Sequence, residues 1–65
     1  MAKLKAKVKT DSAFSGVKDA IEVNGRILDE NFGDGTIEFE AEEDAVRVIT
    51  EMVGDDIENV TPLST

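Results

Sequence analysis

The side chains with chemistry to offer in this chain are carboxylates and lysines. Glu42, Glu43 and Asp44 stand in a row, and Asp29, Asn31, Asp34 and Glu40 are spaced along a glycine-containing segment. Lys3, Lys5, Lys7 and Lys9 alternate near the start. There is no His and no Cys. No imidazole is therefore at hand to activate a Ser or Thr hydroxyl, no thiol to replace it, and no imidazole or thiolate to hold zinc. Adjacent carboxylates do general acid–base work only where a cleft desolvates them or a neighbour tunes them. A chain of 65 residues has little room for such a cleft. The acids at 42–44 are better read as the complement of a helix dipole. Counted from Asp29, a calcium loop would have Asn31 and Glu40 in place, but Asp34 falls where the sharp turn needs Gly. That segment reads as an acidic hairpin turn, and Gly33 and Gly35 form no phosphate cradle. The expectation is a chain with no enzyme activity, no cofactor, no metal and no small-molecule substrate.

The lysine stripe carries more information. Ala2, Leu4, Ala6 and Val8 interleave with the four lysines, a period of two that marks a strand with one wet and one dry face. The charge is uneven along the chain. Residues 1–9 hold four Lys and no acid, whereas residues 10–65 hold Lys18, Arg26 and Arg47 against all fifteen Asp and Glu, for an overall net charge of −8. Two readings of the stripe compete. As a binding patch, Lys3, Lys5, Lys7 and Lys9 would meet an acidic partner, with Phe14 at the tip of the following loop as a further contact. As architecture, they would face Glu38 and Glu40 across a strand pair, or guard an exposed sheet edge, and Phe14 would fold back over the edge of the core.

Size points towards association. One domain, residues 1–65, is expected. Chains this short usually lean on disulfides, a metal or a partner; without Cys there is no disulfide, and without Cys or His a zinc site would need an unusual all-carboxylate shell. A protein partner or a homo-oligomer is the expectation that remains. The acid excess repels nucleic-acid phosphates, and Phe14, Phe32 and Phe39 are the only aromatics for base stacking. No apolar run is long enough for a membrane span, and the Lys-rich start lacks the apolar centre of a signal peptide.

The elements that must position these residues follow from periodicity. Residues 2–9 predict a strand, and 10–16 a polar loop. Val17 to Val23 predict a second strand, with Asn24-Gly25 as a type I′ hairpin turn into a third strand at Arg26-Ile27-Leu28. Asp34-Gly35 turns the chain into a fourth strand at 36–40, with Ile37 and Phe39 facing in. Ala45, Val48, Ile49, Met52 and Val53 form the stripe of a helix over 42–53, ended by Gly54 in the left-handed conformation. A last strand covers 57–61, stopped by Pro62, and Leu63-Ser64-Thr65 follow as a tail. The expected class is α+β, an antiparallel or mixed sheet of about five short strands with one helix on one face (β-β-β-β-α-β).

This layout resembles the amino-terminal module of YqbF-type prophage proteins, small proteins encoded by tailed phages. The resemblance is carried by Lys3-Leu4-Lys5-Ala6-Lys7-Val8-Lys9, Ile37-Glu38-Phe39-Glu40, Glu43-Asp44-Ala45-Val46-Arg47-Val48-Ile49 and Ile57-Glu58-Asn59-Val60. It implies a structural-cluster protein rather than an enzyme. The expected function is thus a non-enzymatic assembly or interaction protein, a small virion accessory associated with capsid or head–tail, found in the virion or host cytoplasm. The alternative is an acidic inhibitor or decoy that binds a basic site on a host protein.

Overall fold

The computed structural model describes residues 2–63 and contains six main elements. They are β1 (Ala2–Val8), α1 (Phe14–Asn24), β2 (Arg26–Asn31), β3 (Thr36–Ala41), α2 (Glu43–Val53) and β4 (Ile57–Pro62). Short 3₁₀ turns at Asp11–Ala13 and Gly54–Asp56 lead into α1 and out of α2. The sheet order is β2-β3-β1-β4, with every neighbouring pair antiparallel. A β-α-β-β-α-β chain wound this way is the split β-α-β arrangement of ferredoxin-like topology. The class is α+β as expected, with four strands and two helices in place of five and one. Ser64 and Thr65 of the expected tail lie outside the described residues.

Alternation in the strands decides where the core lies. Ala6 and Val8 of β1 and Ile37, Phe39 and Ala41 of β3 all turn to one face. There they meet Phe14, Val17 and Ile21 of α1, Ile49 of α2 and Ile57 of β4. Phe39, Ile21, Ile37, Ile49 and Val17 are the largest fully buried side chains. Burying each one contributes about 1.5–3 kcal/mol relative to leaving it exposed. Both helices therefore cover the same face, and none of the described residues covers the lysine face of the sheet.

The largest correction concerns residues 10–25. The polar loop expected at 10–16 is a 3₁₀ turn followed by the start of α1, and the strand expected at 17–23 is the body of that helix. A period of two had to pass over Asp19 and leave Phe14 out. A helical period takes in Phe14, Val17, Ala20 and Ile21 on the buried side and turns Asp19 to solvent. Asn24-Gly25 is accordingly no hairpin turn. Asn24 is the last residue of α1, and its side-chain amide donates back to the Ala20 carbonyl at 2.8 Å. No non-glycine residue has positive φ among the described residues, so the left-handed pair of a type I′ turn is absent there.

Gly25 serves another purpose. Its φ of −164° is extended, but a Cβ there would stand 2.6 Å from the Glu40 carbonyl oxygen and 2.9 Å from the Ala41 Cβ. Only a residue without a side chain lets the chain leave α1 against the end of β3. Gly35 is the position that does need the left-handed region, at φ 69°. Its N–H donates to Phe32 at 3.1 Å, and its carbonyl accepts from the Val8 N–H at 2.7 Å. Asn31 closes the same turn by accepting from the Asp34 N–H at 3.1 Å. The β2–β3 hairpin expected at Asp34-Gly35 is thus present. Gly54, by contrast, is right-handed (φ −58°, ψ −32°) and passes α2 into the 3₁₀ turn rather than ending it in a left-handed cap.

Gly25→Ala is expected to cost about 2 kcal/mol, because the new methyl meets backbone that cannot retreat. Gly16→Ala, with nothing within 4 Å of a new Cβ, is expected to gain roughly 0.5–1 kcal/mol of helix propensity. Urea denaturation of the two variants beside the parent checks both signs.

Candidate interaction site

The uncovered face of the sheet collects the charged residues into columns. Alternation places Lys3, Lys5 and Lys7 of β1 opposite to the buried Ala6 and Val8, and Thr36, Glu38 and Glu40 of β3 opposite to Ile37 and Phe39. Register then pairs Lys3 with Glu40, Lys5 with Glu38 and Lys7 with Thr36. On the far side of β3, Arg26 lies opposite Glu40, Asp29 opposite Glu38 and Asn31 opposite Thr36. On the far side of β1, Thr61 lies beside Lys5 and Asn59 beside Lys7. An acidic column, a basic column and a neutral hydroxyl–amide column thus run side by side. Lys5, Lys7, Thr36, Asn59 and Thr61 line a shallow hollow, with Asp34 at its rim.

The expected cross-strand arrangement of Lys and Glu therefore exists, within one chain, and β1 is a central strand. Edge protection is ruled out for the stripe, because β1 is paired on both sides. The edges are β2 and β4, and each carries a register shift, at Leu28 in β2 and at Glu58 in β4. Bulges of this kind are a usual guard on open edges. The columns are opposed but loosely joined. Among the described residues the ion pairs are Lys7–Glu58 at 3.9 Å and Lys18–Glu30 at 3.0 Å, and the first is half exposed on both sides. The lysines of the stripe keep much of their hydration, and each opposed pair contributes about 0.2–1 kcal/mol at low salt.

The five residues expected to bind a partner are not brought together. Lys3, Lys5 and Lys7 share the open face. Lys9 lies beyond the end of β1, where its N–H donates to the Asp56 carbonyl at 2.8 Å. Phe14 opens α1 on the opposite layer and is only 7% exposed. Instead of tipping a loop, its ring closes the core and meets Phe32 edge-on, with centroids 5.1 Å apart. Glu42, Glu43 and Asp44 are all exposed at the start of α2 and line a surface hollow with Ala2. That position complements the helix dipole, as expected.

Sequence reasoning missed a second surface. Val23, Val48 and Met52 are exposed on the helical layer, with 76% of Val23 and 59% of Met52 open to solvent. Val23 had been placed in a strand, and Val48 and Met52 inside the buried stripe of the second helix. Of that stripe only Ile49 is fully buried, while Ala45 and Val53 are half-buried and are joined by Val46. The available signal was width. A stripe from Ala45 to Val53, with Val46 added, is broader than one helix of a pair can press onto a four-stranded sheet.

Lys18 and Glu30 tie α1 to β2 outside both surfaces. The hydrogen bond from the ammonium to the Glu30 carboxylate, then its charge, raise the Lys18 pKa above the usual 10.5. No family model matches this chain, and neither does any curated protein or solved structure.

Two measurements follow. A raised lysine pKa adds stability that is fully present below about pH 10.5 and is lost as pH rises through the folded-state value. The difference in melting temperature between the parent and Glu30→Gln is thus expected at neutral pH and to vanish once the pH has risen through the folded-state value. Lys5→Glu sets like charges across from Glu38 and is expected to cost about 1 kcal/mol at low salt and less at high salt, read by urea denaturation at both ionic strengths.

Proposed function

We propose that this chain is a non-enzymatic assembly or interaction module, and more narrowly a small accessory component of a virus particle. The carrying observation is the exposure of Val23, Val48 and Met52 on the helical layer of a domain whose buried apolar set is small. Large apolar side chains standing together in solvent mark interaction surfaces more often than they mark catalytic ones. A chain of this size also gains stability from docking onto something larger. The viral setting draws on the resemblance of residues 3–9, 37–40, 43–49 and 57–60 to YqbF-type prophage modules. The reading of an acidic inhibitor or decoy has its own support in Asp19, Glu22, Asp44 and Glu51, all exposed on the helical layer.

The test is association. Sedimentation of the purified chain, alone and with particles of the virus whose gene cluster encodes it, is expected to show a saturable complex. The buried interface is expected to exceed about 1,000 Å². A dilute monomer that neither self-associates nor sediments with particles refutes the module. The inhibitor reading predicts a complex with a soluble basic host protein that weakens steeply with salt, whereas the particle component is retained at physiological ionic strength.

A further inference from the structure

The exposed apolar residues of the helical layer form one strip. Phe14, Val17 and Ile21 of α1 point to the sheet, and Lys18 leans towards β2, where it meets Glu30. Successive helical residues are about 100° apart. Turning the other way around α1 leads from Ala20 and Asn24 to Val23, on the side facing α2. On α2, Ile49 points to the sheet with Val46 and Val53 beside it. Turning towards α1 leads to Met52 and then Val48. The two sides meet where the Asn24 side-chain amide stands 3.8 Å from the Met52 sulfur. Val23 and Val48 therefore stand outward on opposite banks of a seam floored by Asn24 and Met52.

Charge around the strip is one-sided. The two helices carry Asp19, Glu22, Glu43, Asp44 and Glu51 against Lys18 and Arg47, and Lys18 is already paired with Glu30. A second copy of this surface would bring acid against acid. The complementary occupant has apolar side chains at helical spacing flanked by Lys or Arg. Each helix has 11 residues and is about 16 Å long, so the seam takes at most roughly three turns of such a helix. We propose that the seam between α1 and α2 is a docking site for a basic amphipathic helix of a partner protein. This proposal rests on the interaction-module reading and names its surface and the chemistry of its partner.

The probe is a synthetic helix of about 16 residues with Leu at i, i+3, i+4 and i+7 and Lys elsewhere, beside a control with Glu in place of Lys. Titration calorimetry is expected to give saturable binding of the Lys peptide and none of the Glu peptide. Amide chemical shifts are expected to move at residues 23, 24, 48 and 52. The double variant V23E/M52E separates docking from charge attraction, because the two predict opposite signs. Loss of the apolar strip weakens docking by roughly tenfold or more, whereas added carboxylates strengthen attraction that is purely electrostatic. Both positions are exposed, and circular dichroism reports whether the fold is kept. V48Q supplies a variant of unchanged charge.

Binding that is unchanged or tighter in V23E/M52E overturns the proposal. So do shifts confined to Lys3, Lys5 and Lys7, absence of Lys-peptide binding, or a homodimer that Met52→Glu dissolves. If V23E/M52E still sediments with particles as the parent does, the seam is not the docking site and the module reading stands. If the parent itself neither self-associates nor sediments with particles, the module reading falls.

Discussion

β1 is the strand on which everything else is registered. It is flanked by β3 on one side and β4 on the other, so its two-residue alternation is imposed on both neighbours. Where Ala6 and Val8 turn inward, Ile37 and Phe39 of β3 and Ile57 of β4 follow into the same core. Where the lysines turn outward, Glu38, Glu40, Thr61 and Asn59 follow them. A slip of one residue in either pairing would drive a lysine into the core or a core residue into water. That penalty is much larger than the cross-strand charge attraction. The lysine column is thus held in place mainly by the apolar residues between the lysines.

One consequence is a division of labour between the layers. The sheet face is largely polar and mixed in sign, so it is well solvated by water. The helical face is acidic and retains an apolar seam. Two helices side by side shield a four-stranded sheet well, yet each must turn some apolar side chains away from it. Ile49 sinks to the sheet, whereas Val48, one residue earlier in α2, is left in solvent.

Much of the architecture was legible in the chain. The strands at 2–9 and 36–40 and the helix at 42–53 announce themselves because their periods are clean and one face of each is apolar, whereas the strand at 57–61 is marked only by Ile57 and Val60 before Pro62. Residues 10–25 were not legible for a physical reason. Val17, Ile21 and Val23 fit a period of two if Asp19 is excused, and Asn24-Gly25 mimics a hairpin turn. What decides for a helix is Phe14 together with Ala20, a small residue that counts as apolar only once it is packed against its neighbours. The glycine at 25 was a true signal read for the wrong cause, since it answers a close approach to Glu40 and Ala41. The lysine stripe is legible, but its pairing with Glu38 and Glu40 is one of several readings until the strand order is known. The helical seam is not legible, because exposure of Val23, Val48 and Met52 depends on how two helices share one sheet.

The pairing of β1 with β4 also shapes the order in which the chain can fold. Leu4 lies opposite Pro62, and the Leu63 N–H donates to the Lys3 carbonyl at 2.9 Å. The central strand therefore receives its second neighbour only after β4, from which four main elements separate it, has been made. Until then β1 has one open edge, with Ala6 and Val8 only partly enclosed. Contacts this distant in sequence slow the closing step relative to helical bundles of the same size.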